Sequence, residues 1–325
     1  MNPTEKQILD TQQFYNFDQP DIVEKDWYVV DALRAASKVD LRPFRLVFTG
    51  GTCLARAHKV LQRMSEDVDL KLVCDNPGEL SRNKLKGALH DARDRITDAL
   101  QAAGFPLSRD AGNISSRNEY KYTEYRLPFG AGMTAQASLR PEILLELTYS
   151  NVRLPTVMKP VASFVSEAHK RPSEIDAIEC TCLAESAAEK LIALTRRIAM
   201  EAAGVAPAVD ATLIRHVYDL HMLKDKIDTA QVIPLAAKVA LSDGQMAKNR
   251  HPAYLSHMTR ETLNAVAILN NTPVHRENYQ KFMDEMVYGE KPSFDQAMQT
   301  VSDLANKLCG EVRKHVKSQT HSPKL

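Results

Sequence analysis

The chain has 325 residues, of which 44% are hydrophobic, and a formal net charge of +1. This length predicts one large domain or two of ordinary size, with enough apolar residues for a sizeable core. The near-zero charge excludes bulk basicity as a means of binding nucleic acid, so any such binding needs a local patch. The sequence contains neither the run of about 18 apolar residues that predicts a membrane span nor an apolar signal-peptide core. We therefore expect a cytoplasmic protein with no membrane partner.

The first half of the chain alternates predicted helices with predicted strands. A helix is predicted over residues 21–39, and a strand over residues 45–49 leads into Gly50 and Gly51. Apolar residues at helical spacing predict a second helix over residues 52–64, with Thr52 as its N-cap. Further strands are expected over residues 67–73, 118–127 and 142–149, and a long helix over residues 81–104.

The second half becomes helical after a short apolar segment around residues 175–182. Helices are predicted over residues 184–204, 209–223, 230–241, 260–269 and 293–316. Prolines cluster near the change in pattern, at positions 155, 160 and 172. We therefore expect an α+β chain, with a mixed sheet and helices in residues 1–160 and a mainly helical domain in residues 161–325.

Asp67 and Asp69 are the main candidates for a functional site. A strand presents both on one face, because side chains repeat every two residues. Neighbouring carboxylates repel each other unless a cation lies between them, and Mg²⁺ prefers such oxygen ligands together with substrate phosphates. The preceding glycines allow close approach of a ligand to the backbone, and a helix start attracts phosphate. The alternative is a capped surface helix followed by a strand with a solvated face.

Glu146 is a third candidate acid. It lies in a predicted strand, on the face opposite Ile143, Leu145 and Leu147. It could stand beside the metal or accept a proton from an attacking hydroxyl. Alternatively, it is an edge-strand acid that faces water.

Lys190 and Arg197 are cations that can share one face of a predicted helix. Lys190 has no acid one helical turn away, so a local ion pair does not account for it. Arg197 could pair with Glu201, and Asp219 could likewise pair with Arg215. A solvated helix face remains the alternative for both cations.

The order of these motifs resembles that of the DNA polymerase β-type nucleotidyltransferases. More specifically, the segments EKDWYVVDALRA, LVFTGGTCLARAHKVLQRMSEDVDL, AESAAEKLIALTRR and RHVYDLHML are similar to the AbiEii/AbiGii nucleotidyltransferase toxin family. The resemblance extends from about Glu24 through the helical half, and it is most specific in the G-G-T…R-x-S-E-D-x-D segment. It implies a polymerase β-type nucleotidyltransferase domain followed by a mainly helical domain.

The resemblance also implies roles for individual residues. It implies nucleotide binding by Gly50, Gly51, Thr52, Arg63, Ser65, Lys190 and Arg197. It implies catalytic roles for Asp67, Asp69, Glu146, Lys190 and Asp219, with the first two as metal ligands. Glu146 stands where many relatives have aspartate. His216 replaces the first aspartate of a family D-x-x-D, so its role is not implied.

The function implied by the resemblance is that of a bacterial toxin from a toxin–antitoxin or phage-defence pair. Such a toxin transfers nucleotides from an NTP to an RNA acceptor in an Mg²⁺-dependent reaction. The acceptor expected is the 3′ end of tRNA, and a cognate antitoxin is the expected partner. One alternative is an enzyme of the same fold that transfers AMP or phosphate to a protein hydroxyl. A second is a catalytically silent nucleotide-binding module.

Overall fold

A computed structural model describes residues 2–108, 112–129, 139–205, 210–247 and 251–320. The chain divides into two compact units, Met1–Cys182 and Leu183–Leu325. The first unit holds a mixed sheet with helices, and the second is helical. The predicted α+β class is therefore confirmed. No helix in the described part of the chain is long and apolar enough to cross a membrane.

The first unit begins with two helices and then alternates strands with helices. Its helices are α1 (Glu5–Tyr15), α2 (Asp21–Ser37), α3 (Gly50–Thr52), α4 (Arg82–Ala102) and α5 (Phe164–Ala168). Its strands are β1 (Phe44–Thr49), β2 (Asp67–Cys74), β3 (Ile114–Arg117), β4 (Tyr122–Pro128), β5 (Glu142–Tyr149), β6 (Val157–Val161) and β7 (Ile175–Cys180). A π-helical turn (Cys53–Ala57) follows α3, and a 3₁₀ turn (Pro77–Glu79) precedes α4.

The seven strands form one sheet in the order β3-β4-β5-β2-β1-β7-β6. β2 pairs in parallel with β5 and antiparallel with β1. Alternate residues along β4 and β5 are buried, and the core to which they contribute includes apolar residues of α2 and α4. The hydroxyl of Tyr125 donates to the backbone carbonyl of Arg93 in α4 at 2.9 Å. One sheet face is thus covered by helices, and the polar residues of β2, β4 and β5 lie on the other.

The structure corrects the predicted start of one strand and the expected domain boundary. The strand predicted over residues 118–127 begins only at Tyr122, because residues 118–121 form the turn that follows β3. The boundary between the compact units lies at Cys182, later in the chain than the expected boundary at residue 160. Strand β7 pairs with β1 inside the first sheet, so the chain up to Cys182 packs with the first unit.

The second unit is built from helices packed around their apolar faces. It contains α6 (Leu183–Ala202), α7 (Ile214–Leu223), α8 (Thr229–Ala247), α9 (Pro252–Ser256), α10 (Met258–Asn271), α11 (Pro273–Met286) and α12 (Phe294–Thr320). Helix α6 packs against α7, α8 and α10. Helix α6 carries Lys190 and Arg197, and α7 carries His216 and Asp219.

Candidate active site

The glycine turn lies directly beside the second acid of the D-x-D sequence. In the antiparallel pairing of β1 with β2, Thr49 is opposite Asp69, so the chain enters the turn next to this carboxylate. Gly50 has a φ of +79°, in the left-handed region that favours glycine. A Cβ atom at this position would lie 1.8 Å from Oδ2 of Asp69. Both the backbone conformation and the space taken by Asp69 therefore require glycine.

Gly51 makes room for two side chains from the segment between α3 and β2. A Cβ atom at this position would lie 2.4 Å from Nη2 of Arg63 and 3.0 Å from Oγ of Ser65. Both of these side chains are buried, and Nη1 of Arg63 donates to the backbone carbonyl of Met64 at 2.9 Å. The structure thus brings the R-x-S residues directly against the glycine turn.

The single helix predicted over residues 52–64 is wrong. α3 and the π-helical turn end at Ala57, and Lys59 then has a φ of +55°, which interrupts any helix. The pattern suggested a helix because Leu61 and Met64 are apolar at helical spacing. Both residues are buried, but in an irregular segment. This irregular path is what carries the following R-x-S residues back to the turn.

Thr52 does not have the predicted N-cap role. The helix begins at Gly50, so Thr52 lies inside α3, where it is almost completely buried. Its hydroxyl donates to the backbone carbonyl of Asp67. The threonine therefore ties the turn to the start of β2, and with it to the first of the two acids.

Asp67 and Asp69 lie on the same face of β2, opposite the buried Val68 and Leu70, and both remain partly exposed. Nη1 of Arg140 donates to Oδ1 of Asp67 at 2.6 Å. The preceding acid, Glu66, is instead 1% exposed and forms an ion pair with Lys25. The sequence therefore places three acids close together in the chain, and the structure leaves only the last two on the open face.

Glu146 is aligned with the second acid across neighbouring strands. In the parallel β2–β5 pair, Glu146 is opposite Asp69, and in the β4–β5 pair it is opposite Glu124. The hydroxyl of Tyr122 lies 2.7 Å from Oε1 of Glu146 and 3.1 Å from Oε2 of Glu124. Burial, followed by the adjacent carboxylates, raises the pKa of Tyr122, so its phenol stays protonated and donates to these acids.

The donor set fits Mg²⁺ bound mainly by substrate. Among the described residues, no three His, Cys, Asp or Glu side chains converge into a protein-only metal cage. Mg²⁺ is usually bound through one or two carboxylates, with waters and substrate phosphates as the other ligands. The two partly exposed acids of β2 supply such a pair, beside a glycine turn that packs directly against Asp69.

In the second unit, Lys190 and Asp219 form a buried ion pair. Nζ of Lys190 lies 2.8 Å from Oδ2 of Asp219, and the two side chains are 7% and 0% exposed. The acid is supplied by α7, which explains why the sequence shows no acid one helical turn from Lys190. A buried charge needs such a partner to offset the cost of its desolvation.

Arg197 and His216 have surroundings different from those of the buried pair. Arg197 is half exposed, and its Nη2 lies 3.3 Å from Oδ2 of Asp210, so its ion-pair partner comes from beyond its own helix. The expected alternative partner, Glu201, accepts a hydrogen bond from the backbone N–H of Asp210 at 3.1 Å. His216 is half-buried on α7, three residues before Asp219.

A glycine turn packed against two acids on the adjacent strand of a mixed sheet characterises polymerase β-type nucleotidyltransferases. A sequence model described as "Nucleotidyl transferase AbiEii toxin, Type IV TA system" matches residues 31–300. Because this match covers most of the chain, the protein belongs to the AbiEii family of nucleotidyltransferase toxins. It is therefore a transferase of a type IV toxin–antitoxin family.

Family membership also sets the general partners of the site. An NTP is the implied substrate and an antitoxin the implied partner. Nucleotidyltransferases of this family generally use a divalent metal ion. The catalytically silent alternative is therefore disfavoured.

One solved structure that resembles this chain is MenT4, a nucleotidyltransferase toxin from Mycobacterium tuberculosis H37Rv. The TM-score is 0.48 with 14% sequence identity, and the match covers 88% of this chain and 85% of that chain. A likeness at this level assigns no residue roles. No curated protein sequence matches this chain significantly.

Proposed function

We propose that this protein uses Mg²⁺ to transfer a nucleotidyl group from an NTP to the 3′ end of tRNA. The observation that carries the proposal is the position of Asp67 and Asp69 on one face of β2, with Gly50 giving Asp69 its space. Transfer to a hydroxyl requires a held triphosphate beside charge that can stabilise it. We propose that the glycine turn holds the triphosphate and that the two carboxylates hold the cation that supplies this charge, all within one unit.

Asp67 and Asp69 would hold Mg²⁺, with phosphate oxygens of the NTP as further ligands. When bound, the metal supplies Lewis-acid stabilisation of the charge that develops during transfer, and we propose a two-metal site of the polymerase type. Glu146, aligned with Asp69, is the third acid next to this pair.

The remaining candidate site residues of the first unit are proposed to hold phosphate and to accept a proton. Gly50, Gly51 and Thr52 would hold the β and γ phosphates through their backbone, since the hydroxyl of Thr52 is already bound to the carbonyl of Asp67. Arg63 and Ser65 pack against the same turn. Glu146 accepts the proton of the attacking hydroxyl, and Tyr122 fixes one oxygen of that carboxylate. The hydroxyl oxygen then bonds to the α-phosphorus, while the bond to the bridging oxygen breaks and pyrophosphate leaves with the electron pair.

For the second unit, we propose that Lys190 supplies positive charge for the phosphates of the nucleotide and that Asp219 fixes its position. The 2.8 Å pair supports this positioning role. Arg197, which is half exposed, is proposed as a further phosphate-binding cation. Of these three side chains, only Arg197 is broadly open to solvent.

The choice of tRNA rests on the resemblance to family members that act on its acceptor end. Addition of nucleotides at that end would block aminoacylation and stop translation, as expected of a toxin. The net charge of +1 gives no bulk attraction for RNA, so a local patch must bind it.

The test is to incubate purified protein with bulk tRNA, Mg²⁺ and each α-labelled NTP in turn. Asp69→Ala is the test variant, and Asp176→Ala, an exposed acid of β7 in the same sheet, is the matched control. We expect labelled tRNA with wild type and with the control, and loss of more than about a hundredfold in Asp69→Ala, because a metal ligand is removed. Chelation of the metal should give the same loss.

Each other outcome has a definite meaning. Labelled protein in place of labelled RNA would favour the alternative acceptor, a protein hydroxyl. Equal labelling by wild type and Asp69→Ala would overturn the assigned site. In cells, Asp69→Ala should also abolish growth inhibition, whereas Asp176→Ala should retain it.

A further inference from the structure

Arg140 is a cation at the open edge of the site that no sequence motif singled out. It precedes β5, and its Nη1 lies 2.6 Å from Oδ1 of Asp67, the first of the proposed metal-binding acids. Its side chain is 34% exposed, so it combines contact with the acid and access to solvent. Any phosphate held near Asp67 would be within reach of this guanidinium.

The backbone of Arg140 is held by two buried charges. Oε2 of Glu66 accepts hydrogen bonds from Nζ of Lys25 at 2.5 Å and from the backbone N–H of Arg140 at 2.7 Å. Nζ of Lys25 also donates to the backbone carbonyl of Arg140 at 2.5 Å. Both polar groups of this one peptide position are therefore bound by a single ion pair, hereafter the Lys25–Glu66 clamp.

The free-energy cost of burying the Lys25–Glu66 clamp is large for a merely structural contact. Lys25 and Glu66 are each 1% exposed, and burial lowers the pKa of Lys25 even though Glu66 opposes that shift. Removing two charges from water carries a large penalty, and good geometry with further hydrogen bonds is needed to offset it. Here the further hydrogen bonds go to the backbone of Arg140, so the clamp fixes the position from which this side chain extends.

We propose that Arg140 binds a phosphate group of the substrate, with Lys25 and Glu66 as its positioning residues. A guanidinium offers a planar fork of donors that matches phosphate oxygens, and Asp67 holds one of its terminal nitrogens in place. The phosphate belongs either to the NTP or to the RNA backbone. This inference rests on the proposed function, because it requires a phosphate-bearing substrate at Asp67.

The first experiment measures binding and kinetics of Arg140→Ala and Arg140→Lys in the full-length chain. Arg82→Ala is the matched control, since Arg82 forms a surface ion pair with Glu119 in the same unit. Binding of a non-hydrolysable NTP analogue with Mg²⁺ is measured by calorimetry, and KM values are measured for NTP and for tRNA. Calorimetry needs no chemical step, so it reports the contact directly.

We expect Arg140→Ala to weaken one of these two interactions on the order of 10- to 100-fold, as expected for loss of a charged hydrogen bond. Arg140→Lys should be intermediate, because lysine keeps the charge but loses the fork. A larger dissociation constant for the NTP analogue would show that Arg140 binds a phosphate of the nucleotide. A raised KM for tRNA alone identifies the RNA phosphate.

The second experiment tests the clamp with the paired variant Lys25→Met/Glu66→Gln, which leaves no unpaired buried charge. It should weaken the same interaction as Arg140→Ala, and the triple variant should be no weaker than Arg140→Ala alone. A melting curve for each variant separates this effect from loss of folding.

Three results would count against the inference in distinct ways. Arg140→Ala that matches Arg82→Ala in both interactions would overturn it while leaving the proposed function intact. Fully additive losses in the triple variant would overturn the positioning role of the clamp. Wild-type protein that binds neither nucleotide nor tRNA would overturn the proposed function and this inference together.

Discussion

The hydrogen atom that Gly50 carries in place of a side chain is what gives Asp69 its position. The carboxylate occupies the volume that a Cβ atom would need, and the positive φ adds a second requirement for glycine. Gly51 leaves similar space for Arg63 and Ser65. At this level the two glycines are packing residues as well as a turn, because each makes room for side chains of the candidate site from later in the chain.

The residue-scale prediction is that Gly50→Ala lowers the rate of transfer about a hundredfold while the protein stays folded. Moving Asp69 by even about 1 Å should cost about a hundredfold in kcat, because reacting groups must be closely positioned. The control is Gly87→Ala in α4, where a Cβ would have no neighbour within 4 Å. It should keep full activity and gain up to about 1 kcal/mol in the free energy of unfolding. Equal activity of the two variants would contradict the packing role of Gly50.

Strand alternation correctly predicted that Asp67 and Asp69 share one face of β2, and that Glu146 lies on the face of β5 opposite the buried Leu145 and Leu147. It failed for Glu124 and Tyr122, since their alignment with Glu146 depends on strand register, which no local pattern reports. A signal for the buried lysine did exist. Lys25 follows the buried Ile22 by three residues in α2, on its apolar side, where a charge needs a partner.

Helices are joined in this protein by buried charges as well as by apolar contacts. Lys190 of α6 pairs with Asp219 of α7, and Asp26 of α2 accepts a hydrogen bond from the backbone N–H of Phe164 in α5 at 2.7 Å. Nε of Arg56 also lies 3.4 Å from Asp26. Such interactions fix one element against another, so their removal should lower the free energy of unfolding.

The first element-scale prediction concerns the Lys190–Asp219 pair. Lys190→Met should lower the free energy of unfolding by about 3–5 kcal/mol, because it removes the cation that offsets the desolvation of the buried Asp219 carboxylate. Lys190→Met/Asp219→Leu should recover most of that loss, since no buried charge remains. Both are measured by urea unfolding, and nucleotide transfer is measured on the stable double variant. Normal transfer by that variant would show that the pair is structural only.

The second element-scale prediction is a pH dependence of stability from Asp26. Burial raises the pKa of Asp26 to about 6, although Arg56 and the Phe164 N–H oppose the shift. The folded protein therefore holds this proton more tightly than the unfolded chain, so its stabilising contribution is complete below about pH 4 and is lost as pH rises through 6. Relative to Asp26→Asn, wild type should lose about 3 kcal/mol over this interval. The prediction would be refuted if the free energy of unfolding changed with pH in the same way for wild type and Asp26→Asn.

For the whole chain, the two-unit division follows from long-range strand pairing that the sequence pattern did not show. The proline cluster suggested a boundary at residue 160, but β7 returns to the first sheet and pairs with β1. The backbone N–H of Thr181 donates to the carbonyl of Phe48 at 3.0 Å, which extends this pairing to the end of the unit. Composition could indicate where the helical region begins, but not which unit the intervening strands join.

The whole-molecule prediction compares two fragments. Residues 1–182 should unfold cooperatively in urea, because the fragment retains every strand of the sheet and the buried Phe164. Residues 1–160 should fail to do so, since the fragment lacks α5 and β7 and leaves Asp26 without its N–H donor. Circular dichroism during urea titration measures both. Cooperative unfolding of the shorter fragment would instead support the boundary at residue 160.

The contact between Gly50 and Asp69 has a consequence for inheritance among relatives. A lineage that acquires any side chain at position 50 loses the room for a carboxylate at position 69. The residues at these two positions should therefore change together among relatives, although they are not adjacent in the chain. We therefore expect a relative with a larger residue at the first position to have lost nucleotidyl transfer, which can be measured on the purified protein.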